Sequence, residues 1–340
     1  MSRARSRLQL RRTRQPLMLH ERLIASAAAS PDAIALIAGD DEWTYDRLTR
    51  YVIRFSQGLF AQGLRPGDRV ALHLTNKPET VAAFYACMLT GMIAVPLPGR
   101  VTREELEPLL RQSQVSLYLG QSDPDGALAG VDASILDLGR RFLVDGSPLC
   151  TRARAWSELT WQQADEVRFA PVHIDQPTLL FSTSGTTRDS RFVIHTPRMV
   201  CAMTQACQAM ASRPREVALV AAPVMHAAGL FTALAALASS GTCVLMDQFE
   251  PAGALDLIEL HRCTMMIGLP FMYSEAIARQ VEAPRNVASL HTCLVGGDAL
   301  PPSLQGDCLR VFGVRMREFL AFGESSDSFV FEFDIAPVCN

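Results

Sequence analysis

Hydrophobic runs of strand length alternate with helical patterns along most of this 340-residue chain, and that alternation restricts the fold to parallel α/β construction. Strands are expected at Val70 to Leu74, Ala94 to Leu97 and Val115 to Leu119, with helices at Glu79 to Leu89 and Arg103 to Gln112 between them. Thr44 opens an earlier helix that Gly63 closes, and Pro66-Gly67 turns the chain into the next strand. From Gln121 to Gln176 the pattern weakens into polar loops with short elements. It resumes at Thr178, with strands near Ala218 to Ala222, Cys243 to Met246, Met265 to Gly268, Thr292 to Val295 and Arg315 to Leu320. Helices are expected at Leu255 to Arg262 and Pro270 to Val281. The segment Phe329-Val330-Phe331-Glu332-Phe333 alternates like one further strand.

Composition narrows the class. A chain of this length buries roughly 75% of its unfolded surface, enough for a large core. Hydrophobic residues make up 49% of it, yet no apolar run reaches the length a membrane span needs. The nine cysteines form no CxxC pair, so a structural zinc site is not expected; buried thiols in a reducing cytoplasm are. Residues 1–14 hold six arginines and no acid, which reads as a basic, disordered tail over 1–15. The remainder carries a formal charge of −9 and offers no nucleic-acid footprint.

The chemistry starts at Leu179-Leu180-Phe181, a strand running into Ser182-Thr183-Ser184-Gly185-Thr186-Thr187. Such a loop offers hydroxyls and backbone N–H groups to an anion, and glycine lets the backbone approach oxygen atoms closely. It is not a Walker A loop, because the second glycine and the lysine are missing between Gly185 and Phe192. Read alone, it is more simply a Ser/Thr-rich surface loop with no ligand.

Three further segments follow in fixed order: Pro223-Val224-Met225-His226-Ala227-Ala228-Gly229, Leu294-Val295-Gly296-Gly297-Asp298-Ala299-Leu300 and Phe322-Gly323-Glu324-Ser325-Ser326. With Thr183 to Thr187, this order resembles the large N-terminal domain of the adenylate-forming superfamily of acyl-CoA synthetases, luciferases and nonribosomal adenylation domains. The resemblance covers the chain from about Leu17 and includes Trp43 to Leu48 and Gly67 to Ala71. It implies an α/β fold of two stacked lobes of mainly parallel sheets flanked by helices over residues 16–340, with sub-lobes at roughly 61–198 and 199–325 and the nucleotide between them.

The same resemblance implies roles. Thr183, Ser184, Gly185, Thr186 and Thr187 would hold the β- and γ-phosphates of ATP, and Ser325 the α-phosphate. Gly296, Gly297, Asp298, Ala299, Phe322 and Gly323 would surround the adenine of ATP or AMP. His226 would border the carboxylate, with Ala227 and Gly229 in the acyl pocket. Ala227 to Phe231 lacks the aspartate that anchors an ammonium group, which favours apolar aliphatic or aryl acids over amino acids. The acceptor implied is CoA or a carrier-protein thiol.

The chain departs from the family pattern at two places. Where the phosphate loop normally reads Gly-x-Pro-Lys-Gly, this sequence has Arg188, Asp189, Ser190, Arg191 and Phe192, so the retained cation is Arg191. The glutamate that binds Mg2+ is Ser326 here, which leaves Glu324 and Asp327 as nearby carboxylates in another register, Glu324 being the candidate ligand. Lys77 is the only lysine, and it stands in the early Asn76-Lys77-Pro78 turn. The family's C-terminal lid and its lysine would fall beyond Asn340. The expectation is therefore a lidless, carboxylate-activating ligase with His226 and Arg191 as catalytic residues. The alternatives are a noncatalytic or split-enzyme half served by a separate lid domain, or an inactive homologue. An α/β-hydrolase reading of Gly323-Glu324-Ser325-Ser326-Asp327 lacks the final glycine of the nucleophile elbow.

Overall fold

The computed structural model describes residues 18–99, 101–122, 126–144, 153–160, 169–182, 192–297 and 299–319. The chain opens with α1 (Leu19–Ala29), the hairpin β1 (Ile34–Ala38) and β2 (Asp41–Thr44), and α2 (Tyr45–Ala61). It continues through β3 (Arg69–His73), α3 (Pro78–Thr90), β4 (Ile93–Pro96), α4 (Arg103–Ser113) and β5 (Val115–Gly120). Next come β6 (Arg141–Leu143), β7 (Arg154–Ala155), β8 (Leu179–Ser182) and β9 (Phe192–His195). The second half runs α5 (Pro197–Met210), β10 (Val217–Val220), α6 (Ala227–Ala238), β11 (Thr242–Leu245), α7 (Pro251–His261), β12 (Met265–Gly268) and α8 (Pro270–Glu282). It finishes with β13 (Thr292–Gly296), α9 (Pro302–Phe312) and β14 (Met316–Phe319).

The strands form two seven-stranded sheets, in the orders β7-β6-β5-β3-β4-β8-β9 and β14-β13-β12-β10-β11-β1-β2. All described pairs are parallel except the two edge hairpins, β8 with β9 and β1 with β2. The hairpin at 34–44 lies outside both expected sub-lobes and completes the second sheet, with Leu36 opposite Cys243. One core cluster lies between the sheets and joins residues of α1, α2, α3, α5 and α6 to both. A second packs α7, α8 and α9 on the outer face of the second sheet, and a third packs α4 and residues 127–136 on the outer face of the first. The layering is helix, sheet, helix, sheet, helix.

Local chemistry explains these elements. The α2 helix buries Leu48, Val52, Phe55 and Leu59, a stripe at three- and four-residue spacing that faces the inter-sheet layer. Thr44 caps it by accepting a hydrogen bond from the Arg47 N–H at 3.1 Å. Thr44→Ala should therefore cost about 1 kcal/mol in urea unfolding. Between the sheets, α3 is buried on nearly every side, starts at Pro78 and ends before Gly91, whose φ of +72° suits only a residue without Cβ.

The weakly patterned stretch after Gln121 supplies β6 and β7, which extend the first sheet. Its polar composition hides a fully buried arginine. Arg141 donates to the Leu128, Val131 and Leu136 carbonyls at 2.7–3.2 Å, so the loop's own backbone satisfies the cation.

The seven described cysteines are all buried free thiols. Burial pushes Cys87, Cys207 and Cys263 up to about 12. Among the described residues no helix is long and apolar enough to cross a membrane. The basic tail and the 329–333 segment lie outside the described residues.

Candidate functional site

In each sheet successive strands are added to opposite sides of one strand, β3 in the first and β10 in the second, and that switch opens a crevice beyond the carboxyl ends of the strands. In the second sheet β10 leads by α6 to β11 on one side, and then by α7 to β12 on the other. The crevice therefore lies between the loop after β10, which carries Pro223 to His226, and the loop after β12, which carries Leu269. In the first sheet the switch falls at β3. There a cavity of about 840 Å3 opens among His73, Thr75, Arg103, Gln121 and Gln248, the last of which follows β11 in the other sheet.

His226 immediately precedes α6. Its backbone N–H donates to the Pro223 carbonyl at 3.0 Å, its carbonyl accepts from Leu230 N–H at 3.0 Å, and its side chain makes no cap bond. The ring is exposed at the crevice, yet the protein around it lowers its pKa by desolvation, so it stays neutral to lower pH than free imidazole. Ala227 is half-buried and Gly229 is buried in the first turn of α6. A Cβ on Gly229 would lie 2.3 Å from the Pro223 carbonyl oxygen and 2.5 Å from that of Ala222. The glycine thus lets the helix start pack directly against the loop that carries His226.

Gly296 ends β13 and Gly297 follows it with φ +85°, a left-handed conformation that explains glycine at this place. Leu269 fills the space where a Cβ on Gly297 would go, at 2.5 Å. Beneath them the Tyr273 hydroxyl, at 2.9 Å from both the Met266 and Leu294 carbonyls, ties β12 to β13. Ala299 is exposed just beyond. The structure thus brings His226, Ala227, Gly229, Gly296, Gly297 and Ala299 to the carboxyl edge of one sheet.

The other sequence candidates lie outside the described residues: Thr183, Ser184, Gly185, Thr186, Thr187, Arg191, Asp298, Phe322, Gly323, Glu324 and Ser325. Their chain neighbours are described. β8 runs parallel to β4 and stops at Ser182, and β9 begins at Phe192, so both ends of the phosphate-loop segment lie at the carboxyl edge of the first sheet. β14 runs parallel to β13 and stops at Phe319, at the carboxyl edge of the second. Among the described residues no group of three or more His, Cys, Asp or Glu is arranged to hold a metal ion.

One residue that sequence reasoning passed over ties these edges together. Asn76, buried just beyond β3, reaches across to the second sheet. Its Nδ2 donates to the Ala222 carbonyl at 2.9 Å, the Met246 carbonyl at 3.0 Å and the Val220 carbonyl at 3.2 Å. Its Oδ1 accepts from Val224 N–H at 2.8 Å. An asparagine before a helix-opening proline reads as a local turn residue, and nothing in the sequence signals partners more than 140 residues away.

Two mainly parallel sheets with a shared helical layer, and glycines at the end of β13, define a layered α/β protein. The sequence profile of the AMP-binding enzyme family matches residues 23–327, and the chain belongs to that family. It is 33% identical over 285 residues to a feruloyl-CoA synthase from Amycolatopsis sp, a match that covers 83% of this chain and 54% of the relative. It is 26% identical to the medium-chain fatty-acid–CoA ligase of Escherichia coli (strain K12), covering 91% of this chain and 56% of that enzyme. The chain therefore spans about half the length of the curated relatives it matches. Among solved structures, the anthranilate–CoA ligase AuaEII in complex with anthranoyl-AMP superimposes with a TM-score of 0.84 at 18% identity, over 91% of this chain and 61% of that one. The N-terminal domain of FACL13 from Mycobacterium tuberculosis superimposes with a TM-score of 0.78 at 22% identity, over 90% of this chain and 76% of that one. The expected two-lobed fold is the one observed.

Proposed function

We propose that this chain is the nucleotide- and acid-binding part of an AMP-forming ligase that joins an apolar aliphatic or aryl carboxylic acid to the α-phosphate of ATP. The observation that carries this reading is the crevice of the second sheet. His226 and the apolar start of α6, which follow β10, share one carboxyl edge with Gly296 and Gly297, which end β13, and Asn76 ties that edge to the strand ends of the first sheet.

In the reaction a carboxylate oxygen attacks the α-phosphorus, and the bond to the bridging oxygen of pyrophosphate breaks. Gly296, Gly297, Asp298, Ala299, Phe322 and Gly323 orient the adenine, and Ser325 holds the α-phosphate. Thr183 to Thr187 hold the β- and γ-phosphates, with Arg191 on the departing pyrophosphate. His226, neutral at working pH, borders the carboxylate. Glu324 is the candidate that would hold the Mg2+ accompanying ATP, which would neutralise phosphate charge there. The acceptor, CoA or a carrier thiol, is placed in the cavity lined by His73, Thr75 and Arg103, which opens at the same edge of the first sheet. Free buried thiols support a reducing, cytoplasmic setting.

A second reading, nucleotide and acyl binding with turnover only when a separate lid is supplied or with none at all, is favoured by Arg188 to Phe192 in place of Gly-x-Pro-Lys-Gly and by Ser326 in place of the glutamate. Calorimetry with AMP tests what both readings share. AMP should bind at least as well as ATP, since the adenine and α-phosphate positions match the family while the β/γ loop differs. At 100 times its Kd it should raise stability by about 2.7 kcal/mol. No AMP binding at millimolar concentration removes the nucleotide site. The acid class is tested by a pyrophosphate-release panel: aliphatic and aryl acids should exceed amino acids, because Ala227 to Phe231 offers an ammonium no carboxylate. A preference for any amino acid overturns that assignment.

A further inference from the structure

The crevice where the acid is placed is shaped by a loop with no regular hydrogen-bond ladder of its own, Ala221 to His226. Something else has to fix it. The Ala222 carbonyl and the Val224 N–H both bond to one side chain, Asn76, which also holds the carbonyls of Val220 and Met246. A backbone N–H can only donate, so Val224 fixes which end of the amide is oxygen and leaves the NH2 facing the carbonyls. Asn76 is buried, with 3% of its surface exposed, so water does not compete for these bonds.

The chain position of Asn76 matters as much as its bonds. It follows β3 of the first sheet, two residues before the start of α3, while its partners lie at or just beyond the ends of β10 and β11 of the second. A lone amide therefore links the loop that carries His226 in one lobe to the strand ends of the other. Thr75, beside it, lines the first-sheet cavity, and so does Gln248, two residues beyond Met246. The amide lies where the two crevices meet.

We propose that Asn76 is a positioning residue for the acid site: by clamping residues 220–224 and 246 it sets the placement of His226 and of the first turn of α6, without touching the reacting atoms. The proposal rests on the function argued above only for the identity of the substrate; the clamp itself is a matter of geometry.

Two variants separate the clamp from general packing. Asn76→Leu keeps the approximate shape and removes all four amide bonds, so the Val224 N–H and the Ala222 and Met246 carbonyls lose this partner while the Val220 carbonyl keeps the Met246 N–H. Leu110→Ala opens a gap in the outer core of the first sheet, away from the clamp, and serves as a control for lost stability. In hydrogen exchange followed by mass spectrometry on the full chain, Asn76→Leu should lose protection over 220–230 and 246–250, while the core strands β12 and β13 keep theirs. Leu110→Ala should leave the 220–230 segment as in the wild type. In steady-state turnover, Asn76→Leu should raise the KM for the carboxylic acid about tenfold or more and leave the KM for ATP within about twofold.

Unchanged exchange at 220–230 in Asn76→Leu, or the same loss there in Leu110→Ala, overturns the clamp. A fall in kcat with both KM values unchanged marks a smaller folded fraction and overturns the positioning role. If the wild-type chain does not turn over any acid, turnover by this chain on its own is ruled out, while the exchange comparison still decides the clamp.

Discussion

Arg191→Ala should lower acyl-adenylate formation by about thirtyfold to a thousandfold, equivalent to roughly 2–4 kcal/mol of transition-state stabilisation, with little change in AMP affinity. The reasoning begins with charge. As the carboxylate attacks, negative charge accumulates on the departing pyrophosphate, and a cation already in place stabilises it at no reorganisation cost. Within Arg188 to Phe192 two cations are present, and Arg191 occupies the position at which the family carries lysine. In the sequence it immediately precedes Phe192, the first residue of β9, which is paired with Ser182 of β8. Arg191→Lys separates charge from geometry. Lysine restores the charge but not the planar fork, so partial recovery is expected. AMP lacks the β- and γ-phosphates, which is why its binding should not move. Equal turnover in wild type and Arg191→Ala, measured by pyrophosphate release, shows that the catalytic charge lies elsewhere.

The second large effect is on stability and acid binding together. Gly229→Ala should destabilise the fold by about 3 kcal/mol and abolish measurable use of the acid, because its Cβ would fall 2.3 Å from the Pro223 carbonyl oxygen. That neighbour is backbone rather than the end of a flexible side chain, so the clash is relieved only by moving α6 or the loop that carries His226. Helix propensity works in the opposite sense: alanine is better than glycine inside a helix by roughly 1 kcal/mol. Gly306→Ala measures that gain alone, since nothing lies within 4 Å of the Cβ it would add in α9. Denaturant unfolding of the two variants should move in opposite directions. If Gly229→Ala is as stable as Gly306→Ala, the helix start does not press on the loop.

The legible part of this molecule was the part written in local pattern. The strands and helices expected from Val70 to Leu119 and from Thr178 onward carry short apolar runs, caps and proline starts, and they fall within a residue or two of expectation except α7, which starts at Pro251 rather than Leu255. The glycines at 229 and 297 stood out as motif residues, but the close approach at Gly229 and the positive φ at Gly297 that require a missing Cβ are visible only in the structure. What stayed hidden depends on distant partners. Arg141 looks like a solvated charge until three carbonyls from its own loop surround it. Asn76 looks like a turn residue until Val220, Ala222 and Met246 arrive from the other lobe. The hairpin at 34–44 has strand composition, but its membership of the second sheet is decided by β11, for which no local signal exists.

That hairpin also constrains the order in which the molecule is made. β1 emerges early from the ribosome, yet its partner β11 follows about 200 residues later, with Leu36 opposite Cys243 and Ile34 accepting from the Thr242 hydroxyl. The first sheet is drawn entirely from residues 69–195 and can close while the second is still being synthesised. Until β11 appears, β1 and β2 form a two-stranded ribbon with one unpaired edge, a species that is only marginally stable and prone to wrong partners. Closing so large a loop places the final joining of β1 to β11 among the slow steps of folding. A fragment beginning after α5 would present β11 with a bare edge, so the two lobes, though distinct as sheets, are not separable as pieces of chain.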